Sequence, residues 1–292
     1  MAAIGEVGYE PNAKYDFTAQ DVQYLRLPGG VKLMARIYRP DGPGPFHAIM
    51  DVHGGAWTTG DRFQNTLIDE VFAESGLIVV ALDHRLPPKY PYPAQVQDVN
   101  YGIRWAKAHL AEFGGIPETL GAMGTSSGGH IPMLNQMRPL DPVFAAHPFP
   151  EHPKLDCAVS YYVGTWVPID PLARYLYQRD GGGGLMHLVT NSEGFFGSEE
   201  VMREANPQTI LERGTFDRLV PSLLVEPYPD TFVPEEIPQK FVDTYRAKGG
   251  HIEKHRFTGV PHGFARTDGP ETENALRAMK DFVSRQLAVL QD

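Results

Sequence analysis

Apolar residues recur along the chain in two periods. Residues 21–27 alternate, with Val22, Tyr24 and Leu25 apolar and Gln23 and Arg26 between them. Pro28-Gly29-Gly30 follows as a turn, and residues 31–38 alternate again, which reads as a β-hairpin. Short apolar runs at 48–52 and 77–82 suit strands buried on both faces of a parallel sheet. Helical spacing fills 63–74 between them. A longer helical pattern (Val96, Val99, Ile103, Ala106, Leu110) covers 94–113 and stops at Gly114-Gly115. Further strands are predicted at 120–123, 157–163, 222–225 and 252–257. Helices are predicted at 237–247, ending at Gly249-Gly250, and at 272–290. Strands alternating with helices imply βαβ units and a mostly parallel sheet, with the antiparallel hairpin at its N-terminal edge. Residues 139–155 and 165–218 break this rhythm with prolines, aromatics and four glycines at 181–184. The longer segment is read as a lid insertion over the active edge of one domain spanning 1–292.

Composition changes the picture in a few respects. The 26 prolines and 30 glycines among 292 residues stay below the ~25–30% that marks low complexity. Seven prolines fall in 139–171, four in 87–93 and five in 221–238, where they stiffen loops. A net charge of −10 argues against the basic stripe that a nucleic-acid partner requires. The single Cys157 excludes an intrachain disulfide and fits a reducing compartment. The first residues lack the pattern of a secretory leader, and no apolar run is long enough to span a membrane. A cytoplasmic protein is the expectation. The terminal helix and last strand leave a homodimer open without demanding it.

The chemistry concentrates in a few places. Gly124-Thr125-Ser126-Ser127-Gly128 is a G-x-S-x-G directly after a predicted strand. Such a turn carries its serine on a strained strand-to-helix corner, with small neighbours to prevent clashes. Ser126 alone fits the frame. His53-Gly54-Gly55-Ala56-Trp57 follows the strand at 48–52. It is the kind of loop that donates backbone N–H groups to an oxyanion, with the amide of Ser127 as a further donor. A serine hydroxyl needs a base and an orienting acid. Of the late histidines, His251 and His255 lie at or within the last strand. His262 lies in the loop just past its C-terminal end, where parallel sheets gather catalytic groups. For the acid, Asp230 on a turn after the strand at 222–225 is favoured over Glu226, which sits almost on the strand, and over Asp217, which precedes it. No zinc signature and no dinucleotide fingerprint is present, so neither metal nor cofactor is expected.

At these residues the chain resembles the α/β-hydrolase superfamily, and within it the hormone-sensitive-lipase-like esterases. Matching features follow in order: His53-Gly54-Gly55, then Asp83-His84-Arg85-Leu86 with Pro91-Tyr92-Pro93-Ala94 and Asp98, then the elbow at Ser126, then Asp230 with Pro261-His262-Gly263-Phe264. The match spans about residues 20–290. It implies an eight-stranded, mostly parallel sheet flanked by helices, with a lid, and hydrolysis of carboxylic esters through an acyl-enzyme. By position Ser126 is similar to the nucleophile, His262 to the base and Asp230 to the acid. The amides of Gly55, Ala56 and Ser127 would be the oxyanion donors, with Gly54 shaping the turn. The chain departs from the family at Ala56-Trp57, where a third glycine is usual, and the His-Gly-Gly-x-Trp form resembles kynurenine formamidases. It also departs at Pro227-Tyr228-Pro229 before Asp230, at His84, and at Pro132, which is expected to distort the second turn of the helix after the elbow.

The leading expectation is therefore a small-molecule ester hydrolase acting on a small to medium apolar or aromatic substrate. An arylformamidase of the same fold, and a catalytically inactive ligand-binding homologue, are the alternatives. Trp57, His130, Trp166, Phe195 and Phe196 are candidates to line the substrate pocket, or else form the lid's own core.

Overall fold

The computed structural model describes residues 8–290. The opening residues, on which the reading of a missing leader rests, and the two ends of the 1–292 domain lie outside the described residues. Strands β1 (Phe17–Arg26) and β2 (Lys32–Pro40) pair antiparallel. Gly29 and Gly30 turn between them at φ 75° and 79°, a left-handed conformation that glycine adopts without a Cβ penalty. The chain continues through β3 (His47–Val52), α1 (Thr66–Glu74), β4 (Leu77–Leu82), α2 (Ala94–His109), β5 (Gly121–Thr125), α3 (Ser127–Met137) and β6 (Tyr162–Thr165). Next come α4 (Pro171–Arg179), α5 (Met186–Phe196), α6 (Glu199–Glu204) and α7 (Pro207–Arg213), then β7 (Ser222–Tyr228), α8 (Glu236–Ala247), β8 (Ile252–Thr258) and α9 (Pro270–Val289). The described residues form an eight-stranded sheet in the order β1-β2-β4-β3-β5-β6-β7-β8. Only β1–β2 and β2–β4 pair antiparallel.

Strand alternation divides the core into two layers, because successive side chains point to opposite faces. Ile78, Val80 and Leu82 of β4 pack with α2, α3 and the helices of 171–213. Leu77, Val79 and Ala81 pack on the other face with α1 and α9. The central strands are buried on both faces, as their short apolar runs predict.

The structure departs from the sequence expectations in local ways. The strand predicted at 157–163 begins only at Tyr162. Before it, the Cys157 carbonyl accepts from Gln136 Nε2 (2.8 Å), and Val159 N–H donates to Gln136 Oε1 (2.7 Å), so a helix side chain takes the ladder's place. Helix α1 starts at Thr66 rather than 63, because Asn65 turns its amide onto Asp51 and the Asp61 carboxylate accepts from Phe63 N–H. The pattern at 94–113 is α-helix only to His109, closed by a 3-10 turn and by Gly114 at φ 74°. Helix α3 runs from Ser127 to Met137 with Pro132 inside it. The segment read as a lid carries α4 to α7. Asp170, Ser198 and Asn206 accept backbone N–H groups at the starts of α4, α6 and α7, and Pro171 and Pro207 occupy first helical positions.

Candidate active site

Strand β5 ends at Thr125, and α3 begins at Ser127. Ser126 makes the corner at φ 50°, ψ −129°. A non-glycine residue there stores on the order of 1–3 kcal/mol of strain, which the surroundings must hold. They do so through the Ser126 N–H bond to Thr165 O (2.8 Å) and through close backbone packing. A Cβ on Gly124 would lie 2.5 Å from Gly128 O, and one on Gly128 would overlap the carbonyls of Val52 and His53. Small residues around the serine are thus a steric requirement.

His262 sits past the end of β8, where its Nε2 lies 3.0 Å from Ser126 Oγ. Its Nδ1 lies 2.8 Å from Asp230 Oδ2. A carboxylate accepts only, so Nδ1 carries the proton and Nε2 is left to accept from the serine hydroxyl. The other Asp230 oxygen accepts from Phe232 N–H (2.7 Å). The Phe232 ring stacks on the imidazole, with centroids 4.4 Å apart, and Trp166 meets it edge-on. His262 and Asp230 are therefore fixed by hydrogen bonds and by packing. Glu226 is buried but makes no bond to His262. Burial, and then the neighbouring Asp230, push its carboxyl well above the usual range. Asp217 spends its backbone N–H on Met137 O before β7. His251 and His255 flank Glu253, each 3.5 Å from it.

The Gly54-Gly55-Ala56 loop lies beside the elbow because β3 pairs with β5 and sets Val52 opposite Gly124. A Cβ on Gly54 would stand 2.6 Å from Thr125 O and 3.1 Å from Ser126 Cβ. Gly55 (φ 95°), Ala56 (φ 50°) and Trp57 (φ 64°) are all left-handed. Trp57 N–H donates to Ser127 Oγ (2.9 Å), which ties the loop to α3. Gln95 on α2 donates to the Trp57 carbonyl. Among the described residues the amides of Gly55, Ala56 and Ser127 donate to no other group. His53 stacks on His84 with ring centroids 4.0 Å apart, and burial holds both imidazoles below their ordinary pKa. The histidine at 84 is thus the loop's stacking partner.

A polar network beneath the elbow escaped the sequence reading. Thr125 Oγ1 donates to Asn65 Oδ1 (3.1 Å), and Asn65 Nδ2 donates to Asp51 Oδ2 (2.9 Å). Burial raises the Asp51 carboxyl, and that of nearby Asp69, above the usual range. Carboxyls in apolar strand and helix patterns give no periodic signal, so only the fold joins them.

A cavity of about 250 Å³ opens over Ser126. The sequence candidates for its walls are corrected by the structure. Trp57, His130, Trp166 and Phe195 are fully buried and Phe196 nearly so. None of them lines the cavity. Trp57 and Phe195 stack at 2°. Trp57 Nε1–H donates to His130 Nδ1 (3.3 Å), and His130 Nε2–H donates to Ala205 O (2.7 Å). Burial, and to a smaller extent the nearby Arg174 charge, lowers the His130 pKa to about 4, against the opposing pull of the bond to Ala205. Large apolar rings gain most by leaving water, so they became the core that seats α5 against the sheet. Gly55, Ala56, Ser126, Ser127 and His262 do line the cavity, joined by Arg174, Leu188, Phe232 and Arg266.

A family model described as BD-FAE matches residues 36–225. The chain belongs to the BD-FAE family. The match ends within β7, so Asp230 and His262 join the site through geometry rather than through that comparison. This BD-FAE chain is 28% identical over 251 residues to Esterase LipC of Mycobacterium tuberculosis, covering 84% of the chain and 59% of LipC. It is 26% identical over 241 residues to the probable isoprenylcysteine alpha-carbonyl methylesterase ICMEL1 of Arabidopsis thaliana, covering 77% of the chain and 47% of that relative. The chain spans about half the length of these curated relatives. Among solved structures, Thermogutta terrifontis esterase 2 phosphorylated by paraoxon superposes with a TM-score of 0.73 at 23% identity. That comparison covers 91% of this chain and 94% of the other, and it shows the α/β-hydrolase fold.

Proposed function

We propose that this chain is a serine hydrolase that cleaves carboxylic esters through an acyl-enzyme on Ser126. The observation that carries the reading is the continuous relay Ser126–His262–Asp230, at 3.0 and 2.8 Å, in a cavity shared with three residues whose amides are unengaged. Ser126 Oγ attacks the ester carbonyl while His262 Nε2 takes its proton. Asp230 holds the ring in the required tautomer and stabilises the imidazolium. The amides of Gly55, Ala56 and Ser127 receive the oxyanion, each donor being worth about 3–4 kcal/mol in the transition state. His262 returns the proton to the leaving alcohol. Water then enters by the same route in reverse roles and releases the acid.

The cavity size favours the small end of the expected substrates. Leu188 and Arg174 at its wall come from α5 and α4, which supports reading 165–218 as a lid inside one domain. Trp57, the residue shared with the formamidase-like motif, is buried away from the cavity, so the ester reading is favoured over the arylformamidase one. A complete relay is also the opposite of what a ligand-binding homologue with a dead site would keep. We place the enzyme in the cytoplasm, supported by a lone buried Cys157 with no disulfide partner. No helix among the described residues is long and apolar enough to cross a membrane.

The test is turnover of p-nitrophenyl esters from acetate to hexanoate. Wild type is expected to prefer the short chains, and Ser126→Ala to lose several orders of magnitude in kcat/KM. Equal rates in the two proteins would overturn the proposal.

A further inference from the structure

The relay and the amides leave one feature of the cavity without a role. Arg174 on α4 is 3% exposed and lines the same cavity as Ser126 and His262. Its guanidinium lies over the Trp57 ring, 4.9 Å from the centroid. Nη2 donates to Ser192 Oγ at 3.1 Å, and Nε is buried without an acceptor. No carboxylate pairs with it among the described residues, and burial alone brings its pKa from 12.5 to about 10. Arg266, on the turn just past His262, also lines the cavity, and it too is perturbed by burial alone.

Arg104, likewise buried without a carboxylate, instead spends its donors on Asn100 Oδ1 (2.9 Å) and the His147 carbonyl (2.8 Å). Arg85 is paired with the fully buried Asp98 at 2.7 Å, and Arg62 with Asp83 at 2.8 Å. The chain has 36 acids against 26 bases, so partners were not scarce. A buried cation normally requires a counter-charge, because desolvation costs several kcal/mol that the ring contact and one neutral hydrogen bond only partly offset. A planar guanidinium with an open N–H edge matches a carboxylate in particular. Bulk attraction cannot be the reason for such a site, since a net charge of −10 repels anions.

We propose that Arg174 is a specificity residue that binds a carboxylate on the substrate, making the preferred esters those with an anionic end beside the scissile bond. The inference rests on the ester-hydrolase reading above and deepens it. Helix α4 supplies the cation and the elbow supplies the nucleophile. The cavity between them measures the distance from carboxylate to ester. Arg266, which lines the same cavity, adds positive potential there.

The experiment compares matched esters, charged and neutral. Monophenyl glutarate against phenyl pentanoate places the carboxylate on the acyl side. 4-(Carboxymethyl)phenyl acetate against 4-ethylphenyl acetate places it on the leaving group. In wild type the charged member of at least one pair is expected to have the higher kcat/KM. Arg174→Gln is expected to lower that charged-to-neutral ratio by about 30-fold or more, as for loss of one partner of a buried charge pair. Arg174→Lys should recover part of it. Because Arg174 also packs on Trp57, circular dichroism and fluorophosphonate labelling of Ser126 check that each variant is folded. The wild-type ratios stand even if a variant is not. Neutral esters preferred in both pairs by wild type would overturn this inference while leaving the hydrolase reading intact. An unchanged ratio in a folded, labelled Arg174→Gln protein would overturn it too. No hydrolysis of any of the four esters, with no labelling, would instead bring down the reading on which it rests.

Discussion

Replacing Asp230 with asparagine has an outcome that the hydrogen bonds determine. One Asp230 oxygen accepts from Phe232 N–H at 2.7 Å, and the other accepts from His262 Nδ1 at 2.8 Å. An asparagine has one oxygen and one NH₂, so it must choose. Turning the NH₂ toward Phe232 would set two donors against each other in a buried site, at a cost of about 1–3 kcal/mol. The oxygen therefore stays on Phe232, and the NH₂ faces His262 Nδ1. The imidazole must then accept at Nδ1 and carry its proton on Nε2, the atom that should receive the proton of Ser126. The expected loss in kcat is about 10⁴-fold, or about 5.5 kcal/mol. KM should change far less, and the fold should be retained. Steady-state hydrolysis of p-nitrophenyl acetate measures both constants. Glu226→Gln is the companion, because this buried side chain makes no bond to His262 and glutamine keeps its shape. Less than a tenfold loss is expected there. Asp230→Asn within tenfold of wild type, or a larger loss at Glu226, would show that Asp230 is not the residue that orients His262.

Other predictions follow from single contacts. Ser127→Ala leaves Trp57 N–H buried without its acceptor, which should cost about 1–3 kcal/mol and lower Tm by several degrees in calorimetry. An unchanged Tm would mean that the loop is held elsewhere. Gly54→Ala places a methyl 3.1 Å from Ser126 Cβ and closer still to Thr125 O. Displacing the nucleophile should lower kcat about 10²-fold, and full activity would contradict the geometry. His130 has a folded pKa of about 4 against 6.5 when free. Between those values the unfolded chain takes up a proton that the folded one refuses, so this group's contribution to stability falls as pH drops from 6.5 toward 4. Urea titrations of wild type and His130→Gln should show the gap between them narrowing by about 2–3 kcal/mol from pH 7 to pH 4.5. A gap that stays constant would show that His130 titrates normally.

How far the sequence could be read depended on the kind of signal each residue leaves. The run at 77–82 coincides with β4 residue for residue, since an unbroken apolar run has one stable home in a parallel sheet. Ser126, His262 and Asp230 stand at strand ends, where the sheet converges, so their order along the chain already forecast their meeting. The 157–161 stretch looked equally strand-like, but Gln136 intercepts its backbone, and a single buried amide leaves no trace in a hydrophobic pattern. The cavity walls were the least legible part. Aromatic residues announce burial, and Trp57, Phe195 and Phe196 are indeed buried, but in the core rather than at the cavity. Arg174 lies in the 165–218 segment that breaks the strand–helix rhythm, where a charged residue gives no sign of burial. Only the seating of α4 against α5 and Trp57 takes it out of water. The same holds for Asp51, Asn65 and Thr125, which come from three elements and become one network only when β3 and β5 pair.

In the proposed mechanism Ser126 carries the acyl group. The direct measurement is peptide-mapping mass spectrometry after reaction with a fluorophosphonate, taken together with residual esterase activity. One adduct per chain is predicted, on the peptide containing Ser126, with activity lost in proportion to labelling and no adduct in Ser126→Ala. Full activity in quantitatively labelled protein, or labelling that persists in Ser126→Ala, would contradict it.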